Sequence, residues 1–179
     1  GAPALDITGI TADSRKVRPG HLFAALQGVA KDGRAYIDAA IKAGAVAILT
    51  DDRPGEWSVP AVKTVEPRLT LAMAAAAFHP VQPAIVAAVT GTNGKSSTVD
   101  FLRQIWASMG RKAASIGTLG AIGPSGVVDL GHTTPDPVAI HDTLEKLAKE
   151  GVTHAAMEAS SHGLSQYRLH GVKLAAVPM

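Results

Sequence analysis

Short apolar runs alternate with longer amphipathic segments along this chain. The short runs are rich in Val, Ile and Ala, which is typical of strands buried in a sheet. These predicted strands lie at residues 7–10, 21–26, 46–50, 61–65, 85–89, 112–116, 153–159 and 172–177. Apolar residues spaced three or four positions apart predict helices between them. The predicted helices lie at residues 34–43, 67–78 and 98–109, and from Pro137 to a closing Gly151.

This alternation predicts an α/β fold with parallel sheets and right-handed crossovers. Residues 79–83 read His-Pro-Val-Gln-Pro and break the pattern, because two prolines in four residues end a helix and favour a linker. We therefore expect one domain over residues 5–80 and a second over residues 84–179. The glycine-rich residues 117–131 predict an irregular loop or a small hairpin.

Composition narrows the class of protein. The chain has 179 residues and is 46% hydrophobic but only 4% aromatic, so its core must consist largely of small aliphatic side chains, as in α/β layers. A formal charge of +2 without a Lys/Arg cluster argues against a nucleic-acid surface. The absence of cysteine excludes disulfides and thiolate metal sites. No apolar run approaches the ~20 residues that span a bilayer, so we expect a cytoplasmic protein without a membrane partner. We also expect it to be a monomer.

The most informative segment lies between the predicted strand 85–89 and the helix that follows it. It reads Gly91-Thr92-Asn93-Gly94-Lys95-Ser96-Ser97. A glycine-rich turn that opens a helix directs backbone N–H groups and the helix dipole at one point, which suits the phosphates of ATP. Lys95 would neutralise the outer phosphates, and the Ser96 hydroxyl would join a Mg²⁺ shell. The spacing departs from the eight-residue P-loop pattern, whose first glycine would fall on Val89.

Two more segments follow predicted strands or open a helix, where ligands gather in α/β sheets. Glu158 ends the run 154–157 and could be a carboxylate ligand for Mg²⁺. The next residues include Ser160, Ser161 and His162, but neighbouring positions rarely form a Ser/His/Glu triad and no Gly-x-Ser-x-Gly elbow is present. In the segment 132–136, Asp136 is placed to cap the helix at Pro137, and the threonines could hold a ligand.

Residues 91–97, 132–136 and 158–164 together resemble the Mur ligases, ATP-dependent enzymes that add amino acids to the peptidoglycan precursor. Within this family the MurE type is most similar, because residues 13–15, 20–23 and 32–34 also match its UDP-binding domain. The resemblance implies a Rossmann-like UDP-binding domain followed by the first part of a P-loop, parallel-sheet ATPase domain. The nucleotide loop alone would also fit the folylpolyglutamate synthetases.

By position, the resemblance implies a role for several residues. Ala12 and Ser14 would contact the UDP moiety, and residues Val29, Ala30 and Lys31 would lie nearby. Residues 29–31 lack the His-Gln found in some members, so a backbone contact is expected there. Lys95 and Glu158 would be catalytic, and Ser96 and Glu158 would bind Mg²⁺. The positions implied for the muramoyl dipeptide are Thr133, Thr134, Ser160, Gln166 and Arg168.

The implied reaction is ATP-dependent addition of meso-diaminopimelate or lysine to UDP-N-acetylmuramoyl-L-alanyl-D-glutamate through an acyl phosphate. Mur ligases continue beyond the position of Met179 into a domain that recognises the incoming amino acid, so we expect an amino-terminal portion that is inactive alone. Two other interpretations remain open. One is a non-catalytic module that binds UDP-muramoyl peptides or ATP. The other is a different P-loop ligase, kinase or NTPase, which would leave the Thr-Thr-Pro and Ser-Ser-His segments unexplained.

Overall fold

Helices and strands alternate throughout the computed structural model, which describes residues 5–28, 32–131 and 133–175. The chain forms two compact units, Gly1–Leu71 and Ala72–Met179, and each contains one sheet. The predicted α/β fold class is therefore confirmed. The division between the units falls inside a helix, α2 (Pro67–Phe78). The linker at residues 79–83 stays a prediction.

The first unit contains a four-stranded sheet in which every neighbouring pair is parallel. Its strands in spatial order are β1 (Gly9–Thr11), β2 (His21–Ala24), β3 (Ala47–Thr50) and β4 (Ala61–Lys63). Helix α1 (Ile37–Lys42) connects β2 to β3, and α2 begins after β4. Phe23, Ile37 and Ile48 form the centre of the core. Because the strands are parallel, all four carboxyl ends lie at one edge of the sheet.

Several elements of this unit differ from the predictions. The strands predicted at 21–26 and 61–65 end earlier, at Ala24 and Lys63. Strand β1 begins at Gly9 rather than at residue 7, because pairing with β2 starts at His21 and the Thr8 N–H bonds instead to the Gly20 carbonyl. The helix predicted at 34–43 begins as a 3₁₀ turn, Gly33–Tyr36, in which the Asp32 carboxylate accepts from the Arg34 N–H. The turn continues directly into α1.

The second unit contains a five-stranded sheet with the spatial order β5-β9-β6-β7-β8. These strands are β5 (Ile85–Val89), β6 (Ala113–Gly117), β7 (Gly120–Gly123), β8 (Gly126–Val128) and β9 (His154–Glu158). Strand β9 is parallel to both β5 and β6, whereas β7 and β8 extend the sheet as antiparallel hairpin strands. The sheet is therefore mixed, and residues 117–131 form two tight hairpins in place of a purely irregular loop.

Three helices accompany this sheet. They are α3 (Lys95–Ser108), α4 (Pro137–Lys149) and α5 (Ser161–Ser165). The predicted cap of α4 is confirmed, because Asp136 Oδ1 accepts from the Ala139 N–H over 3.1 Å and Pro137 opens the helix. Ile140 and Leu144 of α4 are fully buried and pack against Met157 of β9. Helix α5 has only five residues and was not predicted.

The last strand predicted, at 172–177, is not formed by its described part, residues 172–175. These residues still run beside β5, because the Ala175 N–H donates to the Val86 carbonyl over 2.8 Å. The Gln82 side chain also exchanges two hydrogen bonds with the Lys173 backbone. None of the described helices is both long and apolar enough to cross a bilayer.

Candidate functional site

The glycine-rich loop joins the buried strand β5 to α3. Gly91 and Gly94 adopt φ angles of +146° and +78°, which residues with a Cβ rarely accept. Gly94 is the N-cap of α3, so the first N–H groups of this 14-residue helix have no carbonyl of the helix to bond and face the loop. Lys95 Nζ donates to the Gly91 carbonyl over 2.7 Å and closes the turn. The positive charge of Lys95 thus lies over exposed backbone of the loop.

Glu158 lies next to the end of β5, where the loop begins, because its strand β9 pairs directly with β5. In the register of the sheet it is opposite Val89 of β5, and Gly117 ends the other neighbouring strand, β6. Its carboxylate is almost entirely buried, with 2% of the residue exposed. It accepts hydrogen bonds from the Thr118 N–H at 2.8 Å and from Thr118 Oγ1 at 3.3 Å. Both carboxylate oxygens of Glu158 therefore have a hydrogen-bond donor.

Ser96 and Glu158 line the same small pocket, although they come from different elements. Ser96 belongs to the first turn of α3, whereas Glu158 ends β9. The pocket is completed by Val99, Asp100, Ser115, Gly117, Leu119, Gly120 and Ile122. It therefore combines one hydroxyl and one buried carboxylate with the exposed N–H groups of the adjacent loop. No cluster of three His, Asp or Glu side chains suited to a metal occurs among the described residues.

Thr133 and Thr134, here called the threonine segment, precede α4 and lie next to the end of β9. Thr134 is buried, and its hydroxyl lies 3.2 Å from the Glu158 carbonyl and 3.0 Å from Ser160 Oγ. It also accepts from the Ser160 N–H at 3.0 Å. Ser160 in turn caps α5 by accepting from the Gly163 N–H. Thr133 contacts Thr118 through their hydroxyls at 3.0 Å. Three of the predicted substrate residues thus form one hydrogen-bonded group with Glu158.

Gln166 and Arg168 extend this group at the C-terminal end of α5. Arg168 donates to the Thr134 carbonyl over 2.6 Å, and its Nε and second NH₂ both lie within 3.2 Å of Gln166 Oε1. The guanidinium is therefore held by two of the other predicted substrate residues. This fixed, planar donor suits an anionic group of a ligand.

The arrangement argues against a hydrolase triad at Ser160, Ser161 and His162. The Glu158 carboxylate is bonded to Thr118, and the Ser160 hydroxyl is bonded to Thr134 and to the α5 backbone. Among the described residues, the His162 ring makes no hydrogen bond to either serine. Nucleophile and base are therefore not brought together.

In the first unit, Ala12 and Ser14 directly follow β1 at the carboxyl edge of the sheet. Ala12 is exposed, and Ser14 opens a 3₁₀ turn that the Asp13 carboxylate caps through the Arg15 N–H. Hydrogen bonding by the Arg15 side chain holds the pKa of Asp13 at about 2, below its usual 3.8. Val29, Ala30 and Lys31 lie outside the described residues. The flanking Gln27 and Asp32 form an isolated antiparallel β-bridge.

Two family models match the chain. One, described as "Mur ligase family, catalytic domain", matches residues 6–107, and the other, "Mur ligase middle domain", matches residues 89–177. The chain belongs to the Mur ligase family. The resemblance found in the sequence is thus confirmed.

Curated relatives with high identity carry the name UDP-N-acetylmuramoyl-L-alanyl-D-glutamate--2,6-diaminopimelate ligase. The protein of this name from Bradyrhizobium diazoefficiens is 55% identical over 97% of this chain and 36% of the relative. The one from Agrobacterium fabrum is also 55% identical, over 97% of this chain and 35% of the relative. The chain therefore spans about a third of the length of these relatives.

Solved structures share the fold of this Mur ligase chain. A structure titled with the same ligase name has a TM-score of 0.83 at 31% identity and covers 96% of this chain and 35% of its own. A structure of MurF from Acinetobacter baumannii has a TM-score of 0.61 at 23% identity, over 89% of this chain and 32% of its own. At that identity the likeness concerns the fold alone.

Two features of this Mur ligase chain were not predicted from its sequence. Thr118, which holds the Glu158 carboxylate, is 40 residues away from it along the chain, and its only signal was a Gly-Thr pair after a predicted strand. The other feature is an ion cluster at the carboxyl edge of the first sheet. There Arg53 pairs with both Asp32 and Asp51, and Arg34 pairs with Asp51 at 2.6 Å. Charged residues in two separate segments, 32–34 and 51–53, give no periodic pattern.

Proposed function

We propose that this chain supplies the nucleotide-phosphate and UDP-muramoyl-dipeptide sites of an ATP-dependent ligase. The ligase would add meso-diaminopimelate to UDP-N-acetylmuramoyl-L-alanyl-D-glutamate in peptidoglycan synthesis. One observation carries the proposal. Ser96 and Glu158 face one pocket beside the glycine-rich loop, and the same carboxylate is linked through Thr118 to the threonine segment. The relatives' names favour diaminopimelate over lysine as the amino acid added.

The residues around the loop fit ATP and Mg²⁺. Exposed N–H groups at the start of α3 would bind the phosphates, and Lys95 would exchange the Gly91 carbonyl for a phosphate oxygen. In such enzymes one or two protein oxygens bind Mg²⁺ together with the phosphates. The Ser96 hydroxyl and the Glu158 carboxylate would supply these protein oxygens. The Glu158 carboxylate keeps acceptor capacity beyond its two bonds to Thr118. Bound there, Mg²⁺ would neutralise the charge that develops on the transferred phosphoryl group.

The group formed by Thr133, Thr134, Ser160, Gln166 and Arg168 would hold the muramoyl dipeptide. Its position next to Glu158 would bring the D-glutamate carboxylate close to the γ-phosphate. That carboxylate oxygen would attack the phosphorus atom, and ADP would leave. The amine of the incoming amino acid would then attack the acyl carbon, lose a proton and displace inorganic phosphate. Such chemistry depends mainly on orientation and charge neutralisation, and these residues would provide the orientation.

The UDP end of the same substrate would bind at the carboxyl edge of the first sheet. Ala12 and Ser14 follow β1 there, and Val29, Ala30 and Lys31 belong to the segment that follows the neighbouring strand. Ligands of parallel α/β sheets bind at this edge. We further propose that the ligase acts as a cytoplasmic monomer without nucleic-acid or membrane partners, which a formal charge of only +2 and the absence of cysteine support.

A chimeric ligase tests this function. Residues 5–175 would replace the matching segment of the Bradyrhizobium diazoefficiens relative, which supplies the remaining two thirds of the protein. Phosphate release would be measured with ATP, UDP-N-acetylmuramoyl-L-alanyl-D-glutamate and meso-diaminopimelate. We expect release that requires all three substrates and falls in the Ser96→Ala and Glu158→Gln variants. A folded chimera that binds both ATP and the dipeptide but releases no phosphate would favour a non-catalytic binding module.

A further inference from the structure

Thr118 contacts both oxygens of the Glu158 carboxylate. Its N–H donates to Oε1 at 2.8 Å, and its hydroxyl donates to Oε2 at 3.3 Å. The terminal torsion of a glutamate side chain is broad, so a carboxylate bonded at one oxygen can still rotate. Donors on both oxygens fix the plane of the group. The two bonds therefore determine which lone pairs point into the pocket shared with Ser96.

The adjacent residue makes room for this arrangement. A Cβ placed on Gly117 would lie 2.0 Å from Glu158 Oε1 and 2.6 Å from its carboxyl carbon. The carboxylate thus lies directly against the backbone at the end of β6. Only a glycine leaves that space, so Gly117 and Thr118 together form the support of the Glu158 side chain.

The Thr118 hydroxyl also connects the carboxylate to the threonine segment. Its oxygen lies 3.0 Å from Thr133 Oγ1. A hydroxyl carries one proton, so when Thr118 donates to Glu158 it accepts from Thr133. The hydrogen bonds then run in one direction, from Thr133 through Thr118 to Glu158.

We propose that Thr118 is a positioning residue that orients the Glu158 carboxylate toward the metal bound to the nucleotide phosphates. The inference rests on the proposed function, in which Glu158 is a ligand of Mg²⁺. Thr118 is not among the residues that line the pocket, so it would act through the carboxylate. Partners of this kind usually change metal affinity by tenfold or more when they are removed.

The test uses the 179-residue chain and inorganic tripolyphosphate, which needs only the glycine-rich loop. Isothermal titration would measure tripolyphosphate binding with Mn²⁺ and with EDTA. Thr118→Val keeps the size and the backbone N–H but removes the hydroxyl. We expect about tenfold weaker binding with Mn²⁺ and unchanged binding with EDTA. Thr118→Ser, which keeps the hydroxyl, should bind like the unsubstituted chain.

Thr153→Val is the matched control. Thr153 is exposed and comes just before the start of β9, the strand that ends at Glu158. Glu158→Gln is the reference for loss of the metal ligand. If Thr118→Val fails to fold by circular dichroism, Thr118→Ala carries the same expectation. Normal Mn²⁺ dependence in the folded Thr118 variant, combined with a loss in Glu158→Gln, would overturn the positioning role alone. No binding by the unsubstituted chain, or an unaffected Glu158→Gln, would overturn the site assignment and the inference with it.

Discussion

Lys95 bonds within its own loop, to the carbonyl oxygen of Gly91. We expect a bound phosphate to replace that contact, because a charge-assisted bond to an anion is stronger than one to a neutral carbonyl. Lys95→Ala in the chimeric ligase should therefore weaken ADP binding by about 1.5–3 kcal/mol. Isothermal titration would measure the loss. Lys146→Ala, on the exposed face of α4, should leave the affinity unchanged.

Equal affinities for the two lysine variants would contradict a phosphate contact by Lys95. A lower melting temperature in Lys95→Ala, but not in Lys146→Ala, would show that the substitution damages the fold of the loop. The comparison separates a ligand contact from a structural bond.

Asp51 gives a pH prediction for the first unit. Hydrogen bonds from Arg53 first, and then from Arg34, hold its pKa at about 2, below its usual 3.8. A lowered pKa means that the folded state binds the proton less well than the unfolded state, so the carboxylate stabilises the fold above pH 4. This contribution should be lost as the pH falls from about 4 to about 2. Asp51→Asn should therefore destabilise the first unit at pH 6 and much less at pH 2.5.

Trp57 reports on this unit because it lies beside the Arg34 guanidinium, 5.5 Å from its central carbon. In a Trp106→Phe background, urea unfolding followed by tryptophan fluorescence would give the free energy of unfolding at each pH. Asp52→Asn, at the exposed neighbouring position, is the control. A difference between Asp51→Asn and the parent that stays constant from pH 6 to pH 2.5 would exclude the ion cluster as its cause.

At the scale of the helix, the start of α4 connects local stability to the candidate site. Asp136 caps the helix two residues after Thr134, so its bond to the Ala139 N–H also fixes where the threonine segment ends. Asp136→Ala should cost about 1 kcal/mol of unfolding free energy in the second unit, followed by Trp106 fluorescence in a Trp57→Phe background. Asp142→Ala, on the exposed side of the same helix, should cost less than half of this. Equal losses would show that the cap is not formed in solution.

Elements bounded by strong local signals were predictable from the sequence. Helix α2 has its predicted bounds, Pro67–Phe78, because one proline opens it and another follows its end. The glycine-rich loop and the cap at Asp136 were predictable for the same reason. For residues 117–131 the sequence predicted either an irregular loop or a small hairpin, and β7 and β8 form a hairpin there. The short α5 was not predicted, since five residues give no helical period.

The candidate site was predictable only in part. Glu158, Ser96 and the threonine segment each follow a strand or open a helix, where position alone suggests a ligand. The contacts of Thr118 with Glu158 and Thr133 depend on the register between β6 and β9, which brings Thr118 next to a residue 40 positions away. No local pattern encodes that register.

At the scale of the whole molecule, the position of the domain boundary can be tested by proteolysis. Side chains at both ends of the segment 79–83 make polar contacts with other residues of the second unit. His79 Nδ1 lies 2.8 Å from Glu145 Oε2. The Gln82 side chain forms hydrogen bonds with the Lys173 backbone. Gln82→Ala removes the second attachment. We expect proteinase K to cut at residues 79–83 before it cuts within β5, and faster in this variant. The fragments would be identified by mass spectrometry.

Gln104→Ala, which removes an exposed amide on α3, is the control for that experiment. It should leave the rate of cleavage at residues 79–83 unchanged. First cleavage between residues 85 and 89, with residues 79–83 intact, would contradict the predicted linker.

The place of β9 between β5 and β6 has a consequence for how the protein is made. Both neighbours come earlier in the chain, and in the sheet each of them pairs with β9 and not with the other. During synthesis the first unit, complete by Leu71, can fold while the second still lacks the strand that joins its halves. Until residue 158 leaves the ribosome, the inner edges of β5 and β6 have no partner strand and expose unpaired backbone groups. We therefore expect the second unit to expose unpaired strand edges during synthesis after the first unit can already fold.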